Sequence, residues 1–134
     1  MGAGPDPRAP FPIAPGQGPG WAKVAAAVAA AMPPAEIEAI YLFRPMKREG
    51  REWGTAVVTR RSDAPGESGR LRVYTAKYML IIRGKDRGQA KVEVTEVGLS
   101  PAEILAQVMQ ATADRTGESE PPVEVGPRAW YDGG

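Results

Sequence analysis

Few residue types in this sequence could do covalent or acid–base chemistry. The chain has no histidine and no cysteine among its 134 residues. A Ser-His-Asp or Cys-His nucleophile pair and a zinc site with histidine or cysteine ligands are therefore excluded. No remaining side chain has an unperturbed pKa near neutrality. We expect no metal and no cofactor, and we favour a small non-enzymatic binding or assembly module over an enzyme.

Two carboxylates in one turn are the nearest approach to a metal-binding pair. Glu49 and Glu52 are three residues apart and stand beside Arg48 and Arg51, so ion pairing explains them more simply. Segment 66–69, Gly-Glu-Ser-Gly, lacks the Lys-Ser/Thr ending of a phosphate loop. A proton-transfer pair of Tyr with Asp or Glu in a small-molecule-binding or catalytic cup stays open as an alternative.

Basic residues are concentrated in two connections of the predicted sheet. Residues 41–92 hold thirteen Lys or Arg against five Asp or Glu, and residues 93–134 hold two against eight. This asymmetry indicates an anionic partner, such as nucleic acid or an acidic protein, or an acidic tail over a basic face. The candidate patch consists of Lys47, Arg48, Arg51, Arg83, Lys85 and Arg87. The alternative is two ordinary solvated turns, partly neutralised by Glu49 and Asp86.

Aromatic residues fall on the predicted strands, where rings interleaved with arginine could stack nucleobases. The candidates are Tyr41, Phe43, Trp53, Tyr74 and Tyr78. Aromatic residues are also favoured in strands because they pack a core. The neighbouring apolar positions favour this second interpretation.

Four segments have the composition and alternation of β-strands: residues 40–44, 53–61, 71–82 and 89–97. Residues 47–51 and 83–88 carry the glycines expected of connecting turns. Segment 71–82 is apolar on both faces, with Val73, Met79 and Ile81 on one and Tyr74, Tyr78, Leu80 and Ile82 on the other. A strand of this kind is central and covered on two sides, by a helix on one and by a second layer, the tail or another subunit on the other. Of these alternatives we favour another subunit, and we therefore expect a homodimer.

A C-terminal helix is the element with the clearest signals. Ser100 and Glu103 form a capping box, Pro101 occupies the first helical position, and Gly117 is the expected stop. The sequence predicts an α+β fold: a four-stranded antiparallel meander followed by this helix.

The N-terminal region has two interpretations. Residues 1–20 hold six Pro and five Gly and are predicted to be disordered, and residues 21–31 are an Ala-rich helix candidate. Alternatively, translation starts at Met32 and the preceding Ala, Gly and Pro codons are GC-rich noncoding sequence. We expect one domain at residues 21–117, with its core at 37–117, and a partly docked acidic tail at 118–134.

The order of four strands and a helix over residues 37–117 resembles the repeat of purine-rich-element-binding proteins. That likeness lies in element order only, and no residue motif matches, so no site residue carries over. The resemblance implies single-stranded DNA or RNA binding as an alternative function. No run approaches the roughly 18 apolar residues of a membrane span, and we expect a cytoplasmic protein with no membrane contact.

Overall fold

The fold follows the meander that the sequence predicts. We describe residues 19–32, 36–61, 66, 70–117 and 122–125 of the computed structural model. In chain order the elements are α1 (Pro19–Ala31), β1 (Ile37–Leu42), β2 (Met46–Arg48), β3 (Arg51–Arg61), β4 (Leu71–Ile81), β5 (Ala90–Val97), α2 (Pro101–Thr116) and β6 (Val123–Val125). The sheet order is β5-β4-β3-β1-β6, with β2 paired to β3. The predicted α+β class and the antiparallel order β1-β3-β4-β5 are confirmed.

The predictions for residues 1–18 and for most of the loop at 62–69 lie outside the described residues. Residues 19 and 20, which the sequence analysis includes in the disordered segment, are the first two residues of α1. No helix among the described residues is long and apolar enough to cross a membrane.

Two short strands were not predicted. Residues 47 and 48 belong to the predicted turn at 47–51, but together with Met46 they form β2 and pair with Arg51–Trp53. The turn itself is reduced to Glu49 and Gly50, both with positive φ (53° and 75°), which suits a two-residue hairpin turn. In the acidic tail, β6 pairs with β1 and becomes the edge of the sheet.

The first face of the sheet is covered by α1. Along this helix, Trp21, Val24 and Val28 are at most 1 % exposed, and the helix lies against β4 and β5. The core beneath it extends through β3 to β1. The strand residues of this core are Ile37, Ile40, Leu42, Ala56, Val58, Tyr74, Ala76, Tyr78 and Leu80. Helix α1 is therefore part of the hydrophobic core, which begins before the predicted core boundary at residue 37.

The second face carries a smaller core under α2. Phe43, Val57, Val73 and Ile104 are buried there, with Val108 and other α2 residues packed against them. The predicted capping box is confirmed: the Ser100 hydroxyl accepts from the Glu103 N–H at 3.3 Å, and the Glu103 carboxylate accepts from the Ser100 N–H at 3.0 Å. Helix α2 ends at Gly117, as predicted, and this glycine adopts the left-handed conformation.

Strand β4 thus has buried apolar residues on both faces, under α1 on one and, at Val73, beside α2 on the other. Tyr74, Tyr78 and Leu80 lie in the α1 core, and Val73 lies in the α2 core. The second layer anticipated from the sequence is α1, a part of the same chain. Helix α2 contacts mainly β3, and it leaves the β4–β5 side of its own face more exposed, including Lys77 and Glu93.

Candidate functional site

The two basic connections lie side by side at one end of the sheet. Arg51 begins β3 directly opposite Ile81, near the end of β4. The N–H of Ile82 donates to the carbonyl of Gly50 at 2.9 Å and ties the β2–β3 turn to the β4–β5 loop. We call this region, with Lys47, Arg48, Arg51, Arg83, Lys85 and Arg87, the basic end. The register of β3 and β4 brings the two halves of the predicted patch together.

The β4–β5 loop is held by its own backbone. The N–H of Gly88 donates to the carbonyl of Ile81 at 2.8 Å, and the N–H of Arg87 donates to the carbonyl of Gly84 at 3.2 Å. Gly84 and Gly88 have φ near +95°, a conformation that glycine adopts without strain. These bonds fix the path of the loop, while the side chains of residues 83–88 remain exposed.

Two of the six bases at the basic end lie near a carboxylate. Lys47 lies 3.7 Å from Glu52, and Arg48 lies 4.0 Å from Glu49. Within the described ranges, the other four bases of the basic end have no ion pair. An open hollow of about 380 Å³ lies between the two turns, and its charged lining consists of Arg51, Arg83 and Lys85 together with Glu49 and Asp86. The basic end therefore has an excess of exposed bases over acids, with room for an anion.

The opposite end of the sheet is equally rich in arginine but is neutralised. Arg60 pairs with Glu36 at 2.6 Å, Arg61 with Glu38 at 3.0 Å, and Arg72 with Glu96 at 3.5 Å. The hydrogen bond and charge of Arg61 lower the pKa of Glu38. The two ends thus differ in how far their charges are compensated.

The five aromatic candidates occupy different environments. Phe43, Tyr78 and Tyr74 are 2 %, 3 % and 9 % exposed and pack in the two cores, so a base cannot stack on them in this conformation. Tyr41 is half-buried on the α2 face, and its pKa is raised by desolvation and by the nearby charge of Glu124 on β6.

Trp53 is the half-exposed ring closest to the basic end. It shares the α2 face of β3 with Arg51, two residues away. On the neighbouring strands it is flanked by Met46 and Met79, both only partly buried. A narrow cavity of about 30 Å³ separates Trp53 from Thr112 near the end of α2. An aromatic surface therefore adjoins the basic end.

A buried polar contact behind the basic end was not predicted. Glu52 and Glu49 do not form a shared carboxylate site: Glu49 is exposed, while Glu52 is only 7 % exposed and accepts a hydrogen bond from the Tyr78 hydroxyl. Burial and this hydrogen bond strongly raise the pKa of Tyr78. No group of three acidic residues that could hold a metal occurs in the part of the chain that we describe.

The ring of Tyr78 fills a slot between two glycines. A methyl group at Gly54 would lie 2.8 Å from the Tyr78 Cζ, and one at Gly20 would lie 2.7 Å from its hydroxyl oxygen. Trp21 meets the same ring edge-on, with centroids 5.2 Å apart. Gly54, a glycine inside a strand, was the one signal in the sequence that another group approaches the β3 backbone closely.

Comparison with known proteins identifies no relative. No family model, no curated protein and no solved structure matches this chain.

Proposed function

We propose that this protein is a non-enzymatic binding module that holds single-stranded DNA or RNA at the basic end. The observation that carries the proposal is the contrast between the two ends of the sheet. Arginines at one end are paired with glutamates at 2.6–3.5 Å, while four bases at the other have no ion pair within the described residues. Uncompensated, exposed bases on adjacent turns are the kind of surface that binds phosphates.

Trp53 favours a single strand over a duplex or a simple anion. Single-strand binders combine a positively charged track with aromatic rings on which unstacked bases lie. Trp53 lies on the same face as Arg51, and across β4 and β5 the row continues through Met79 to Lys91. A backbone held at Arg51 and the β4–β5 loop would bring a base within reach of this ring.

The test is the binding of fluorescently labelled oligo(dT) and oligo(U), measured by fluorescence anisotropy over a series of salt concentrations. Each phosphate contact in a single strand contributes about −0.7 to the slope of log K against log salt, so four bases give a slope near −3. Lys85→Glu with Arg87→Glu should weaken binding at least about tenfold at low salt and reduce the slope by about 1.4. Trp53→Leu should weaken binding with little change in the slope, because stacking releases no counterions.

The matched control is Arg61→Glu with Arg70→Glu. Both residues are exposed at the opposite end of the sheet, and the pair makes the same change in net charge. It should leave the affinity within about twofold, since charges beyond a Debye length of about 10 Å are largely screened at 0.1 M salt. Equal weakening by both pairs, absence of binding at low salt, or equal affinity for poly-glutamate would each refute the proposal.

A further inference from the structure

The edge of the sheet at β5 has the features of a self-association surface. Strand β5 is the last strand in the order β5-β4-β3-β1-β6, so no described strand pairs with its outer side. A free strand edge presents backbone N–H and C=O groups that can pair with another strand.

The hydrogen bonds to β4 identify which residues of β5 present those groups. The N–H of Ile81 donates to the carbonyl of Gln89 at 2.9 Å. Because bonding direction alternates along an antiparallel strand, residues 91, 93, 95 and 97 also bond to β4. The backbone groups of Ala90, Val92 and Val94 consequently point outward.

Side-chain charges along β5 select one register for pairing with a second copy. Lys91 and Glu93 are exposed on the α2 face, while Val92 and Val94 are half-buried on the α1 face. Antiparallel pairing centred on Val92 puts Lys91 of each copy opposite Glu93 of the other, twice, and Ala90 opposite Val94. Registers centred on Lys91 or on Glu93 place like charges together, and one centred on Val94 leaves both charges without an opposite.

Helix α1 is compatible with this arrangement. It lies over β4 and β5 and contacts both to a similar extent. A two-fold axis at the new seam keeps both copies of α1 on one face. With strands about 4.8 Å apart, the two helices would lie about 10 Å apart, which is close to helix-packing distance. From Trp21 to Ala31, every exposed or half-exposed position of α1 except Lys23 is alanine, so the helices can approach this closely.

We infer that this chain forms a symmetric homodimer in which two β5 strands pair antiparallel about Val92, making one continuous sheet. The two basic ends would lie at opposite ends of the seam. This inference is independent of the proposal on nucleic-acid binding, because none of the basic-end residues takes part in the seam.

Single cysteines test the register, since the chain contains no cysteine of its own. Val92→Cys places two thiols opposite each other at the two-fold axis, about 5.5 Å apart between Cα atoms, within disulfide range. Val94→Cys is the matched control, with similar burial on the same face, but its thiols lie four residues apart across the seam. Under mild oxidation Val92→Cys should form covalent dimers rapidly and Val94→Cys should not. Equal cross-linking of the two variants would overturn the register.

Charge exchange tests the interface without relying on cysteine. Sedimentation equilibrium of the full chain should show a dimer, and Lys91→Glu or Glu93→Lys alone should raise the dissociation constant about tenfold or more. The double variant Lys91→Glu with Glu93→Lys restores opposite charges in this register alone and should recover most of the affinity. A monomer at high protein concentration, or a double variant no tighter than the singles, would overturn the inference.

Discussion

Replacing Tyr78 with phenylalanine removes one hydroxyl and keeps the ring that fills the slot between Gly20 and Gly54. The hydroxyl donates to Glu52, and the two residues are 3 % and 7 % exposed, so little water can replace the lost bond. A hydrogen bond to a charged group contributes about 1.5–3 kcal/mol. Lys47, at 3.7 Å, remains the nearest compensating charge for Glu52. We expect Tyr78→Phe to lower the free energy of unfolding by about 2 kcal/mol.

The assay is urea unfolding followed by circular dichroism at neutral pH, with Tyr74→Phe as the matched control. The Tyr74 hydroxyl accepts one long contact from Arg60, at 3.5 Å, and Arg60 is bound more closely by Glu36. Its removal should cost less than about 1 kcal/mol, because the contact is long and only partly buried and Arg60 keeps its closer bond to Glu36. Equal costs for the two variants, or a cost below about 0.5 kcal/mol for Tyr78→Phe, would refute the assignment of a stabilising contact between Tyr78 and Glu52.

The same variant predicts a pH dependence. Burial and the hydrogen bond to Glu52 raise the pKa of Tyr78 above the unfolded value of about 10. The stabilisation is therefore fully present below pH of about 10 and is lost as the pH rises above it, by about 1.4 kcal/mol per unit. The difference in unfolding free energy between the wild-type protein and Tyr78→Phe should be constant from roughly pH 7 to 9, which lies below the unfolded pKa. Above about pH 10 the difference should become smaller. A difference that widens above this range would contradict the sign.

Three further changes test the packing. Gly54→Ala would force a methyl group against the Tyr78 ring and should cost about 1–3 kcal/mol in urea unfolding, whereas Gly98→Ala, with open space at its Cβ, should change stability by less than about 0.5 kcal/mol. Ser100→Ala removes the N-cap of α2 and should cost about 1 kcal/mol by the same measurement. Deletion of residues 1–31 removes three almost fully buried side chains of α1, whose burial contributes roughly 6 kcal/mol to the free energy of folding. This deletion should abolish cooperative thermal unfolding. A truncated chain that melts as sharply as the full one would contradict the role of α1.

Local signals were sufficient to predict most elements of this fold. The alternation in 53–61 and 71–82 gave the two long strands, and the Ser100–Glu103 box gave the start of α2, because each signal is encoded within a few residues. The meander order then follows from short connections, and it brings the two basic turns together.

Contacts between distant residues could not be predicted in the same way. The bond between Tyr78 and Glu52 joins residues 26 apart, and it depends on a register that no local pattern fixes. The three-residue strands β2 and β6 are too short to show alternation. The sequence also did not identify α1 as the layer that covers the second face of β4. An alanine-rich helix has a weakly defined apolar stripe, so its buried side is hard to recognise.

The position of the bound nucleic acid is tested most directly by NMR. Amide chemical shifts of the ¹⁵N-labelled protein would be followed during titration with oligo(dT) at low salt. We predict that the largest changes occur in residues 46–53 and 82–88, at the basic end and around Trp53. Changes centred instead on Arg60, Arg61 and Arg72, or no changes at saturating oligonucleotide, would contradict the proposed site.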